Sequence, residues 1–503
     1  MSEKPTPALL ADMRAKGIDV SLTLSILDEL NAGSYDGFSA VEVAGVPPVD
    51  GTTIVPVGDS MSYSLPASAA GERLASVGLE LPRACICADG LARFDRTALV
   101  DLGERLYGMT AWGVLNGGSA TSYADRKKNG SLGAGVFKAV SDGFELLAPL
   151  CEGRPKGATP AYINPDGSPG ESFLVLKMRA ALLQAARSVE RFGRLDRQVL
   201  PFFQMTSEGT DSALSAEYLR YAKHPWLAPL IAATGTDPTR ARTARQPMIA
   251  AFSHSSEGRP KRVFDRAWGK ADSAIALPGG HGQGFRFMAD LYCGLLADGY
   301  RYAWLGNVDN IGYCPDAAGL AVMALSGAEA AFEFAYRTPV DVKGGVLVTT
   351  SAGRRTVADI GQAIPFSRVL ELEASGERVL FNCATGLFDL ARLVPRLEDI
   401  ARRLPVRISD QDKDAGRYSQ AEQSTWEVVG LLDEPLGFAV EKGRRFIAAK
   451  LLAETVLASG AGHQGSGLPD DVAATARMMS EGLHSVLEKQ CGLRLETGVW
   501  KPA

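Results

Sequence analysis

One stretch, residues 278–310, limits the folds open to this chain. It reads PGGHGQGFRFMADLYCGLLADGYRYAWLGNVDN. Its first part, Pro278-Gly279-Gly280-His281-Gly282-Gln283-Gly284, holds four glycines in seven residues. Such a backbone can approach a ligand closely and adopt positive φ. The spacing of Phe285, Met288, Leu291, Leu295 and Leu296 predicts a helix next, and Asp298-Gly299 stops it. Tyr302-Ala303-Trp304-Leu305 reads as a buried strand ending in Asn307-Val308-Asp309-Asn310. A carboxylate at the carboxyl end of a buried α/β strand lies where such sheets bind ligands. One Asp flanked by amides suits Mg²⁺, a hard cation that takes one or two protein carboxylates plus substrate phosphates. A glycine turn followed by an Asx-turn has the same local composition.

At 503 residues the chain exceeds one core, and two or three domains are expected. Lys plus Arg number 53 and Asp plus Glu 58, a net charge of −5. That balance gives no field for nucleic acid or an anionic membrane, so local lysines must hold any anionic ligand. The seven cysteines are scattered. The one close pair, Cys85 and Cys87, lacks the spacing of a zinc site, which points to free thiols in a reducing compartment. The segment MSEKPTPALLADMRAKG has no signal-peptide core, and the apolar run Ala318–Ala328 is too short to span a bilayer. A cytoplasmic protein is expected.

Residues 1–105 read as a helical N-terminal lobe. Two helices around Leu9–Met13 and Leu22–Leu30 are followed by a Pro/Gly/Ser-rich loop over 44–69 and a helix at Thr97–Leu106. From 106 to 405 strands alternate with helices, which predicts a mainly parallel sheet covered on both faces. Strand Trp112–Leu115 runs into Asn116-Gly117-Gly118-Ser119-Ala120-Thr121-Ser122, with Arg126, Lys127 and Lys128 behind. Strand, glycine turn, hydroxyls and cations form a layout for phosphates, though neither a P-loop nor a Rossmann fingerprint is present. Lys156 sits between Pro155 and Gly157, which fix the backbone around it. A helix is predicted over Phe173–Phe192. Strands are predicted at Val199–Met205, Pro247–Ser253, Ala331–Tyr336 and Val379–Asn382, the last followed by a helix over Leu387–Leu404. Lys343, beside Gly344 and Gly345, is either a phosphate-binding cation in a tight loop or a solvated hairpin lysine. Residues 406–503 read as a small, mostly helical C-terminal region. It holds a basic cluster at Arg444–Lys450, a Gly/Ser-rich linker over 462–468 and a last helix over Val472–Gln490.

In their order, the motifs of residues 110–455 resemble the eukaryotic-type UTP–glucose-1-phosphate uridylyltransferase family and its relative, UDP-N-acetylhexosamine pyrophosphorylase. They are Leu115-Asn116-Gly117-Gly118 with Thr121-Ser122, Pro155-Lys156-Gly157, Met205-Thr206-Ser207, Pro278-Gly279-Gly280-His281-Gly282, Asn307-Val308-Asp309-Asn310, Asp341-Val342-Lys343-Gly344-Gly345, Phe381-Asn382 and Arg445-Phe446 with Lys450.

The resemblance implies a GT-A-like, Rossmann-related mixed sheet with helices on both faces. It implies Mg²⁺-dependent transfer of UMP from UTP to a sugar 1-phosphate, glucose 1-phosphate first and an N-acetylhexosamine 1-phosphate second. It assigns Asn116, Gly117, Gly118 and Thr121 to the nucleotide loop, and Gly280, His281 and Gly282 to a second ligand loop. Asn307 and Asn382 fall to the sugar, Asp309 to Mg²⁺, and Lys156, Lys343 and Lys450 to the phosphates, with Lys127 or Lys128 as alternatives to Lys156. Ala120 replaces a family glycine, and its methyl is expected to crowd the triphosphate or to demand a changed turn, as in a divergent enzyme with another sugar or a nucleotide-sugar-binding protein without turnover. The wide gap between Ser122 and Lys156 and the added glycine before His281 also depart from the family's pattern.

Overall fold

The structure, a computed structural model, describes residues 4–36, 40–460 and 468–503. The expected linker at 462–468 lies, but for Leu468, outside the described residues. Among these, eleven strands form a central sheet: β1 (Val43–Gly45), β2 (Ile54–Pro56), β3 (Thr110–Leu115), β4 (Phe202–Ser207), β5 (Arg242–Gln246), β6 (Tyr302–Asn307), β7 (Ala330–Tyr336), β8 (Gly345–Thr350), β9 (Arg355–Asp359), β10 (Leu380–Asp389) and β11 (Leu436–Val440). The main path runs β2-β11-β7-β10-β6-β3-β4-β5. All its pairings are parallel except the two made by β10.

The pleat divides the side chains between two cores. Trp112 and Trp304 point to one face, where the helices Arg96–Leu106, Phe173–Phe192 and Ala317–Ser326 pack. Ala111, Leu115, Ala303 and Leu305 point to the other, against Gly284–Phe287, Ala289–Ala297 and Leu397–Arg403. A strand buried on both faces carries no polar alternation, so β3, β4 and β6 read as apolar runs. Gly306, next to last in β6, leaves room for the ring of Tyr313, which would lie 2.7 Å from any Cβ there. That ring stacks on Trp112 at 4.1 Å, and its hydroxyl donates to the Gly113 carbonyl at 2.8 Å.

The mixed sheet with helices on both faces is as expected, and its periphery differs. The loop expected over 44–69 contains β2 and a strand at Ser62–Pro66, the latter paired with Leu91–Asp95. Short strands between turn residues left no periodicity to read. The helix expected from Leu387 begins only at Leu390, because β10 continues to Asp389 through a two-faced apolar run. Pro247–Ser253 splits into Met248–Ala250 and Phe252–Ser253, both outside the central sheet. The C-terminal residues are not mostly helical: Val406–Lys413 and Gly416–Gln423 form a hairpin, β11 joins the sheet, and Leu493–Glu496 pairs with Val499–Pro502. No described helix is long and apolar enough to cross a membrane.

Behind the sheet's carboxyl edge, Arg445 reaches into the core. It pairs with Glu333 of β7, which is 1% exposed, and donates to the Cys314 carbonyl at 2.8 Å. Burial pushes the Glu333 carboxyl up, against the pull of Arg445. Removing the guanidinium leaves that carboxyl uncompensated. Arg445→Met is therefore expected to cost about 3–5 kcal/mol in urea unfolding, and Glu333→Gln in the same background to restore part of it.

Candidate functional site

The site lies at the carboxyl ends of β3, β4 and β6, the edge where open α/β sheets bind ligands. From β6 the chain turns through 307–310. Asn310 is fully buried; its amide donates to the Arg445 carbonyl at 2.9 Å and accepts from the Ile447 amide at 2.9 Å. This clamps the turn to the segment that carries Lys450.

The loop after β3 packs beside it. The carbonyl of Gly117 accepts from Ser207 Oγ at 2.7 Å, and that of Gly118 from the Lys156 amide at 3.0 Å. The long gap between Ser122 and Lys156 is a detour through the helix Ala134–Cys151, which returns to a bridge between Ser119 and Pro155. Lys156 Nζ then meets Asp309 Oδ2 at 2.5 Å, each side chain 13% exposed, and lies 4.8 Å from the Tyr123 ring centroid. Lys127 and Lys128 are exposed, with Lys128 bonded to Ser122 Oγ; neither reaches Asp309 as Lys156 does. Thr121 is exposed beside Ser119.

Two expectations fail here. Asn116 does not face ligand: it is completely buried and donates to Gln204 Oε1 at 3.0 Å between β3 and β4. Ala120 does not crowd the loop's outer face: its methyl is fully buried in the main core, while its amide donates to the Arg154 carbonyl at 2.9 Å.

Opposite stands the loop 279–284. Gly280 has φ +82°, and a Cβ there would lie 2.4 Å from the Gln423 carbonyl oxygen, so the hairpin strand Gly416–Gln423 admits no side chain at this point. Gly282 is buried under the same strand. His281 Nδ1 accepts from the Thr425 amide at 3.0 Å, and Thr425 Oγ1 donates to the His281 carbonyl at 2.9 Å. That assigns the ring proton to Nε2. Burial, and then Lys450, lower the imidazole to about 4, so it is neutral near pH 7.

Between these walls is a cleft of about 530 Å³ whose lining includes Gly280, His281, Asn307, Asp309, Lys343, Asn382 and Lys450. Gly117, Gly118, Thr121 and Lys156 line no part of it; Lys156 reaches it through Asp309. Asn382 is aimed by an irregularity in β10. Phe334 pairs with Asn382 but Phe332 with Gly386, and Ala384 between them has φ +52°. Asn382 Oδ1 caps that bulge through the Ala384 amide at 3.0 Å. Asp341 ties Thr338 and Lys442 together at the base of the Lys343 loop, leaving Lys343 exposed at its tip. On the far wall, burial raises the carboxyls of Asp359, Glu422 and Glu427, the last bound to Arg407.

The reading from sequence missed that wall, and it missed Lys177. This lysine is 2% exposed, and its ammonium donates to the carbonyls of Asn310 and Tyr313 and, at 3.3 Å, to that of Ile311. Burial lowers it to about 8. A cation, Lys177, followed by Arg179, inside the otherwise apolar run from Phe173 to Leu182 was the signal that marks it.

Lys177→Met leaves these carbonyls unpaired in the interior. It is expected to speed amide hydrogen exchange over 310–313 and to cost about 2–4 kcal/mol in urea unfolding. For His281 the folded value, about 4, lies below the ordinary 6.5. The native state thus binds fewer protons than the unfolded chain between these values, and stability falls as pH drops through that window. His281→Gln is expected to flatten that decline in unfolding series from pH 7 to 4.

Residues 261–461 match the family model described as UTP--glucose-1-phosphate uridylyltransferase. Curated relatives of that name include the enzyme of Astragalus penduliflorus, 25% identical over 191 residues, which is 38% of this chain and 40% of that protein. The probable enzyme of Schizosaccharomyces pombe is 28% identical over 225 residues, 44% of this chain and 38% of that protein. The matched region thus spans about two fifths of these relatives' length. Among solved structures, UDP-glucose phosphorylase of Trypanosoma brucei superposes with TM-score 0.56 at 18% identity, covering 90% of this chain and 77% of that one. A variant of Leishmania major UDP-glucose pyrophosphorylase in complex with UDP-glucose gives 0.54 at 17%, covering 91% and 79%. These likenesses show the fold. The matched model covers residues 261–461, two fifths of the chain, and over that segment the chain is similar to the UTP–glucose-1-phosphate uridylyltransferase family.

Proposed function

We propose that the protein transfers UMP from UTP to a sugar 1-phosphate, foremost glucose 1-phosphate, giving UDP-sugar and pyrophosphate. The observation that carries this reading is the convergence of the Lys156–Asp309 pair with Lys343, Lys450, His281 and Asn382 on one strand-end site. The attacking sugar-phosphate oxygen is already ionised, so no protein nucleophile is required. A bond forms from that oxygen to the α-phosphorus as the bond to the pyrophosphate oxygen breaks. Catalysis is then positioning plus cations on crowded oxygens. Lys343 and Lys450, exposed at loop tips, neutralise phosphate charge. Lys156 exchanges the Asp309 carboxylate for a phosphate oxygen. The Nε2–H of neutral His281 donates a hydrogen bond without adding charge, and Asn307, Asn382 and the carboxyls of Asp359 and Glu422 take sugar hydroxyls.

The donor set fits Mg²⁺. Among the described residues no three His, Cys, Asp or Glu side chains gather around one point, and a hard cation shared between one carboxylate and substrate phosphates needs only Asp309. When bound, it supplies a Lewis acid at the phosphate oxygens. The free thiols suit a reducing compartment, and we place the activity in the cytoplasm.

Pyrophosphate release from UTP and Mg²⁺ with glucose 1-phosphate tests the reading. Release with N-acetylglucosamine 1-phosphate alone would move the substrate to the hexosamine branch. UTP binding without release for any sugar 1-phosphate would make the protein a nucleotide binder. Asp309→Ala is expected to lower kcat by about 10²–10³-fold and to abolish the UTP-dependent Mn²⁺ signal in electron paramagnetic resonance. Lys343→Ala is expected to raise KM for the sugar 1-phosphate about tenfold; an unchanged KM returns Lys343 to a solvated hairpin.

A further inference from the structure

The two segments that frame the cleft also wall a second cavity, of about 300 Å³, behind them. Asp309, Asn310, Phe446 and Lys450 face the cleft. Gly312, Asp316, Glu441 and Arg444, from the same segments, face the rear cavity. The helices Arg96–Leu106, Phe173–Phe192 and Asp470–Lys489 close it.

The charges around this cavity are unevenly committed. Glu104 is held by Arg191, and Arg444 joins Asp59 and Glu441. Arg96 donates to the Gly58 carbonyl at 3.2 Å. Arg187 and Lys489 make no ion pair among the described residues. Beside Arg96, Arg187 and Lys489 stands one carboxylate without an ion pair among the described residues, Asp316, whose Oδ1 accepts from the Ala318 amide at 3.2 Å to cap the helix Ala317–Ser326.

Two polar groups at the bottom of the cavity lack protein partners. Gln184 is 6% exposed and Tyr107 1% exposed, and both line it. Neither the amide of Gln184 nor the hydroxyl of Tyr107 makes a hydrogen bond to a described residue. Buried amides and hydroxyls cost stability unless something completes them. A pocket with converging polar groups below and uncommitted guanidinium and ammonium groups at its mouth is built for a small anion that carries several acceptors.

We propose that the rear cavity is a second binding site, separate from the cleft, for a small phosphorylated anion. The phosphate takes Arg187, Lys489 and Arg96, and Gln184 and Tyr107 bond the remaining polar atoms.

Calorimetric titration with inorganic phosphate tests this, run in the Lys343→Ala background to weaken binding in the cleft. Saturable binding is expected to persist there. It is expected to weaken at least about tenfold when Arg187→Glu and Lys489→Glu, both surface changes, are added together. Gln184→Leu is expected to weaken binding while Tm holds or rises, because its amide has no protein partner to lose. The proposal is overturned if phosphate shows no saturable binding up to about 10 mM, or if the double charge reversal leaves the affinity unchanged. It is also overturned if Gln184→Leu lowers Tm with affinity unaltered, which would make the amide a structural brace.

Discussion

A buried turn must have its backbone carbonyls satisfied, and that demand shapes the carboxyl edge of this sheet. After β6 the chain does not emerge into solvent but folds over the core at 310–313, where Tyr313 stacks on Trp112. The carbonyls released there go to one buried ammonium, Lys177, and the side chain of Asn310 holds the neighbouring strand of backbone at 445–447. Asp309 precedes this knot by one residue, and Lys450 follows it by three. The metal-candidate carboxylate and a phosphate-candidate cation are thereby fixed to one scaffold, though 141 positions separate them in the chain.

The site separates rigid parts from adjustable ones. Gly280 is locked beneath Gln423, and Asn382 is locked by its own bulge. Lys343 and Lys450 stand exposed, on long side chains that no such packing holds in place. Lys156 belongs to neither class. Its ion pair with Asp309 keeps both charges compensated in a nearly enclosed position, where an uncompensated ion would cost several kcal/mol. The same framing segments also build the rear cavity, through Gly312 and Asp316 after the cleft residues of one segment and Glu441 and Arg444 before those of the other.

Most of the ligand loops were legible because their chemistry is local. Glycine at 280, Lys343 beside two glycines and Asp309 after an apolar strand each announce a backbone conformation or a charge at a strand end. The helix Phe173–Phe192 was likewise readable from periodicity. What failed was longer in range. Asn116 and Ala120 lie in a glycine-rich loop, and nothing in their neighbours tells that one braces two strands and the other fills the main core. The late Lys156 became intelligible only as the end of a helical detour that returns to the loop it left.

The sequence by itself determined the mixed α/β class, the glycine loops and the strand-end carboxylate, because these depend on periodicity and on residues no more than a few positions apart. Only the tertiary structure decided which lysine meets Asp309, that β10 runs antiparallel with a bulge at Asn382, and that Lys177 serves the turn from a distant helix. Those outcomes rest on satisfying buried polar groups across more than a hundred residues of chain, and no local pattern encodes which donor will be brought to which acceptor.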